Sequence, residues 1–155
     1  RLFRALALPN DSVLVDLGCG KARVLLVAAQ AGVRVVRGVE FSPELCRIAR
    51  RNCAIFAQKT GVAATFEVVE ADVVDYAIRP DESVFFLYNP FDGAVLRQVL
   101  ANISASQRVH PRPLWIIYRN AVHSALLDGA AGFVRLRDYV FGGLDFVVYH
   151  SAGSQ

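Results

Sequence analysis

Methionine is missing altogether from the 155 residues, tryptophan occurs once, and histidine and cysteine occur three times each. Each scarcity excludes something. Cys19, Cys46 and Cys53 form no Cys-x-x-Cys pair and stand at no zinc spacing from a histidine, so they read as small buried thiols, and no metal site is expected. No Ser/His/Asp set emerges either. No apolar run reaches the roughly 18 residues of a membrane span, because Gln30, Arg34 and Arg37 interrupt the longest candidate. Charge is sparse: 17 basic residues against 14 acidic ones leave a net +3. Nucleic-acid modules carry a denser basic stripe, so a nucleic-acid partner is allowed but unsupported. A secretory signal pattern is also missing, and a cytoplasmic location is expected. The sequence begins at Arg1, and an upstream segment is expected to precede it.

What is present is core. A composition 54% hydrophobic suits one domain spanning residues 1–155, long enough to withdraw roughly 70% of its unfolded surface from water. Strand-like and helix-like segments alternate, which predicts an α/β fold, a doubly wound and mostly parallel sheet. Helices are expected near 2–8, 22–31, 43–58, 95–103 and 121–128, and strands at 12–17, 33–39, 64–69, 83–88 and 114–118. Ser42, Pro43 and Glu44 give a strong helix start. Leu45, Ile48, Asn52, Ile55 and Phe56 recur at helical spacing, with Arg47, Arg50 and Arg51 on the wet side. Two β-branched and aromatic runs, 133–141 and 144–150, flank Gly142-Gly143 and predict a hairpin, hence one antiparallel strand late in the order.

The segment VLVDLGCGKARV, residues 13–24, carries the most chemistry. A strand ends in Asp16, and Gly18 and Gly20 turn the chain into a helix, a geometry that lets backbone approach a ligand closely. An ordinary tight turn would have the same composition. A nicotinamide-dependent oxidoreductase would need a glycine where Arg23 stands and would set a pyrophosphate against Asp16, which repels it. A cofactor bearing an ammonium suits Asp16 better.

At these residues the chain resembles the class I S-adenosylmethionine-dependent methyltransferases, over nearly its whole length. DLGCG at 16–20 is similar to their first motif, and VEFS at 39–42 and EADVVDY at 70–76 to the next two. The resemblance implies a Rossmann-like methyltransferase fold of seven strands, with the reversed strand beside the fifth. It implies S-adenosyl-L-methionine as cofactor and S-adenosyl-L-homocysteine as product. Asp16 and the turn Gly18, Cys19, Gly20 would pass the methionine portion. Glu40 would face the cleft and accept both ribose hydroxyls, Phe41 and Val73 would cover the two adenine faces, and Asp72 would take the adenine amino group. One departure is Ala22 in place of the motif's third glycine.

The fourth strand ends in YNPF, residues 88–91. This resembles the NPPY-type motif of methyltransferases that modify amino groups, with Phe91 in place of the second proline. The resemblance gives Asn89, with Pro90 and Phe91, the work of aiming an acceptor nitrogen at the methyl group, Asn89 also lying near the cofactor. A turn that merely starts the next helix would carry the same Asn-Pro pair. The expected acceptor is an amine on a protein or a small molecule. A non-catalytic adenosylmethionine-binding module is the other reading of the same residues.

Overall fold

The computed structural model describes residues 1–88, 91–130 and 132–152. The chain divides into two compact units, 1–76 and 77–155, taken here in turn.

The first unit opens with a short helix, α1 (Leu2–Ala5), and continues β1 (Val13–Leu17), α2 (Arg23–Gln30), β2 (Val35–Glu40), α3 (Pro43–Thr60) and β3 (Thr65–Glu70). β2 lies between β1 and β3, parallel to both, with Asp16 opposite Gly38 and Glu40 opposite Glu70. All five residues of β1 are buried, which is why its sequence is apolar without alternation except at Asp16. The start of α3 follows its local code. The Ser42 hydroxyl accepts from the Leu45 N–H at 3.4 Å, Pro43 takes the first helical position, and Gly61 ends the helix at φ 62°.

The buried face of α3 departs from expectation. Arg47, Arg50 and Arg51 are exposed as the spacing predicts, but the fully buried residues are Cys46, Ala49 and Cys53. Ile55 is exposed, while Leu45, Ile48 and Phe56 are half-buried. Small side chains form the innermost strip, so the large apolar residues lie along its margins.

The second unit contains β4 (Glu82–Tyr88), α4 (Gly93–Val109), β5 (Leu114–Arg119), α5 (Ser124–Asp128), β6 (Val134–Phe141) and β7 (Leu144–Ser151). β4 and β5 are parallel, and β7 runs antiparallel to both β5 and β6. Gly142 and Gly143 take φ of 59° and 76°, the pair of left-handed residues that a two-residue hairpin turn requires. α4 begins earlier than its apolar pattern suggests, because Asp92 caps it and accepts from the Ala94 and Val95 N–H groups at 2.9 and 3.0 Å. Those bonds, the Val95 one first, hold the Asp92 carboxyl below its usual range. The Arg112 guanidinium donates to the carbonyls of Glu82, Arg79, Ser106 and His110. It also donates to the Ser106 hydroxyl, fastening the chain before β4 to the end of α4.

Across the chain the strands form one mixed seven-stranded sheet in the order β3-β2-β1-β4-β5-β7-β6. This is the doubly wound architecture expected from the sequence, with β7 as its one reversed strand. No helix among the described residues is long and apolar enough to cross a membrane.

Candidate active site

The glycine turn is built around the carbonyl of Val39. The Gly18 and Cys19 N–H groups both donate to it, at 2.9 and 3.0 Å. The Gly20 N–H donates instead to Glu40 Oε2 at 3.0 Å. Gly18 and Gly20 take φ of 91° and 52°, values that glycine reaches without strain. An added Cβ at Gly20 would meet nothing within 4 Å, so the space beside it is open. Three successive N–H groups are therefore spent inside the protein. A phosphate needs such donors; a cationic amine does not.

Gly38, on the neighbouring strand, makes room for the turn. A methyl group there would sit 2.7 Å from Cys19 Cβ and 3.0 Å from Leu25 Cδ1. The helix that follows the turn starts from Ala22, which is fully buried and left-handed at φ 70°. Arg23 is exposed. The buried position at the start of the helix is residue 22, because α2 turns its first residue outward.

Asp16 and Glu40 are both buried, at 3% and 5% exposure. Burial, and after it the neighbouring Glu40 charge, push the Asp16 carboxyl up to about 8. Among the described residues no side chain or N–H group hydrogen-bonds to it. Glu40 does not present a free carboxylate to a cleft, as the sequence suggested. Its Oε2 accepts from Gly20 and its Oε1 from the Ser42 N–H, each at 3.0 Å. A carboxylate oxygen carries two lone pairs, so each keeps capacity for a further donor.

The main chain gathers the remaining residues. The Glu40 carbonyl accepts from the Ala71 N–H at 3.1 Å and from the Cys46 thiol at 3.2 Å, bringing the ends of β2 and β3 together. Asp72 is exposed and folds into a local turn, its Oδ1 accepting from the Val74 N–H at 3.0 Å. Val73 is half-buried beside it. Phe41 is 76% exposed, an unusual place for a ring that directly follows a buried glutamate.

These residues fit the expected cofactor. A buried carboxylate without a donor among the described residues suits an ammonium, the Glu40 oxygens have spare lone pairs for hydroxyls, and Phe41 offers an uncovered face to a flat ring. In the second unit, Phe91 is half-buried just before the Asp92 cap. Asn89 and Pro90 lie outside the described residues. Asn120, left-handed at φ 49°, and His123, half-buried near Gly93, follow β5. The three cysteines are free and buried, and burial raises each thiol above its usual range. Among the described residues no group of histidine, cysteine or acidic side chains could hold a metal.

Comparison with known proteins agrees with this fold. The family model described as "Methyltransferase domain" matches residues 15–110, more than half of the chain. Among solved structures, a provisionally named methyltransferase of Escherichia coli, yhhF, superposes with a TM-score of 0.74 at 18% identity, over 99% of this chain and 84% of that one. An RNA methyltransferase from Salinibacter ruber in complex with S-adenosyl-L-homocysteine gives a TM-score of 0.65 at 24% identity, over 97% and 87%. A ribosomal protein L11 methylase from Lactobacillus delbrueckii subsp. bulgaricus gives 0.68 at 12%, over 99% and 76%. No curated protein sequence matches. At these identities the structures establish the shared fold, and the family match establishes membership: the chain belongs to the methyltransferase-domain family and is an enzyme that takes its methyl group from S-adenosylmethionine.

Proposed function

We propose that the enzyme methylates an amino nitrogen, and that Asp16 is the residue around which the cofactor site is organised. The observation that carries the cofactor assignment is the pairing of a buried carboxylate that has no donor among the described residues with a turn whose three N–H groups point inward. That pairing favours a cationic amine over a phosphate. Glu40 holds the ribose hydroxyls with its remaining lone pairs. Phe41 and Val73 cover the adenine, and Asp72 accepts from its amino group. When bound, the cofactor supplies a methyl group on a positively charged sulfur. The protein then needs to position the acceptor and exclude water, with little acid–base machinery. This agrees with the sequence, in which no catalytic set of nucleophile, base and acid is found.

Nitrogen as the acceptor rests on YNPF at the end of β4, where the Asn89 amide oxygen would accept a hydrogen bond from the target amine and so aim its lone pair. Phe91 would flank a flat or aliphatic arm of the substrate. Solved relatives of the same fold include one named an RNA methyltransferase and one named for a tRNA modification. Nucleobase amines therefore join protein and small-molecule amines as acceptors to test. A tritiated-methyl screen of protein, RNA and small-molecule fractions identifies the acceptor, and hydrolysis of the product identifies the methylated atom. With that acceptor, Asn89→Ala is expected to lose about 10²-fold in turnover while keeping adenosylhomocysteine affinity. Label on oxygen or carbon, or full activity of Asn89→Ser, would overturn the amino-nitrogen assignment.

A further inference from the structure

The second unit carries a row of flat side chains that begins at Tyr88, the first residue of YNPF. Tyr88, Arg119, Phe146 and Tyr139 are successive cross-strand partners on β4, β5, β7 and β6. Directly opposed residues share a face of the sheet. With strands about 4.8 Å apart, the row runs roughly 14 Å across four strands. The Arg119 guanidinium lies 4.0 Å above the Tyr88 ring, and that of Arg137 is 6.0 Å from Tyr139. Tyr139 stacks on Phe141 with ring centres 5.7 Å apart and planes 18° from parallel. Tyr88 is 51% exposed; Arg137 is exposed, Arg119, Tyr139 and Phe141 are half-buried, and Phe146 forms the floor.

Close to the row the charge on this face has one sign. Phe86, Ile117, Leu144, Val148, Arg137 and Phe141 share it within two residues of the row, and none is acidic. The hairpin carboxylates Asp138 and Asp145 alternate to the opposite face. An acidic peptide would use the two guanidiniums and leave the rings idle, and an apolar helix would do the reverse. Unpaired nucleotides use both, because bases stack on aromatic rings and on arginine planes while phosphates pair with the cations.

We propose that this row is a platform for a single-stranded nucleic-acid segment, and hence that the acceptor amine is carried by a nucleobase. The inference rests on the proposed function in one respect, that the YNPF stretch beginning at Tyr88 receives the acceptor. It goes beyond the sequence, whose thin basic excess gave no support to such a partner. The row explains how: stacking needs few cations.

The test is fluorescence anisotropy of labelled rA12 and dA12 with the full chain. Saturable binding is expected, with a shallow log–log salt slope near −1.4 for two phosphate contacts. Tyr88→Ala and Tyr139→Ala should each weaken it by about tenfold. Arg137→Ala should flatten the slope by about 0.7. Adenosylhomocysteine affinity, measured on the same proteins, should stay unchanged and report intact folding. A preference for either sugar supports the platform and identifies the source of the bases. Binding that ignores Tyr88 and Tyr139, no binding below about 100 µM, or tighter binding of a 12-residue polyglutamate would overturn it. Oligonucleotide that binds through the row while the methyl label lands on oxygen or carbon would overturn the amino-nitrogen reading and leave the platform standing. N-methylation confined to protein or small amines, with no oligonucleotide bound, would do the opposite.

Discussion

Asp16 and Glu40 lie at or next to the ends of neighbouring parallel strands, both buried, and in the sequence they look alike. Their surroundings are opposite. Glu40 is engaged on both oxygens, by Gly20 and by Ser42. It ties the glycine turn to the start of α3. Asp16 has no such partner among the described residues and is held largely protonated below about pH 8. One acid supports the architecture of the turn, while in the proposed site the other is left for the ligand to satisfy. An acid near a strand end is therefore not one kind of residue, and the difference lies in which N–H groups the following turn directs at it.

The largest effect should come from breaking the engaged member. Glu40→Ala leaves two N–H groups without an acceptor in a buried place. Hydrogen bonds to a charged group contribute about 1.5–3 kcal/mol each, so a loss of about 3 kcal/mol or more in unfolding free energy is expected by denaturant titration. Cofactor affinity should fall by roughly 10- to 100-fold in whatever fraction remains folded. A variant as stable as the parent would show that these two bonds do not hold the turn.

Asp16→Asn should do the reverse. The folded carboxyl, at about 8, lies above its ordinary value of 3.8, so the folded protein keeps a proton that the unfolded chain releases in between. The cost to stability is absent below the lower value, grows as pH rises, and is complete above the upper one. The variant should be no less stable than the parent and should gain on it between pH 5 and 8. An ammonium beside Asp16 favours the ionised form. Parent affinity for adenosylhomocysteine should therefore rise by up to about tenfold per pH unit and level off above pH 8. In the variant, affinity should be at least about tenfold weaker at pH 8 and lack that slope. Calorimetry across this range, in buffers of different ionisation enthalpy, measures both, and equal slopes would remove Asp16 from the site.

These differences mark how far the sequence could be read. Element order, the reversed strand and the Gly142-Gly143 turn were legible, because each follows from a period or from a local backbone requirement. The places of Asp16, Gly18, Gly20, Glu40 and Asp72, at or beside strand ends and in the glycine turn, were legible too, because both leave a spacing; their roles toward the cofactor are proposals. The inner face of α3 was not, since Cys46, Ala49 and Cys53 carry little hydrophobic signal yet fit the closest approach. Nor was the engagement of Glu40, which depends on where two backbone N–H groups point. The row from Tyr88 to Tyr139 was invisible for a third reason: its members are far apart in sequence and meet only through strand register.

The smallest effect is expected at Ala22, whose backbone is left-handed although the residue is not glycine. Glycine would relieve a strain of about 1–2 kcal/mol, but removes a buried methyl worth about 0.8 kcal/mol and adds unfolded-state freedom. Ala22→Gly should therefore change stability by less than about 1 kcal/mol and leave cofactor affinity alone. A loss beyond about 2 kcal/mol would mean that the methyl group itself props the turn between the two acids.

The missing side chain at Gly38 has a consequence for how this pocket can change. The volume beside β2 is taken by Cys19, with Leu25 behind it, so residues 19 and 38 share one space although nineteen positions of sequence separate them. A larger residue at 38 is admissible only with a smaller one at 19, and their effects on stability should be strongly non-additive. Variation in the glycine turn is thus governed from the neighbouring strand, by a residue outside the turn itself.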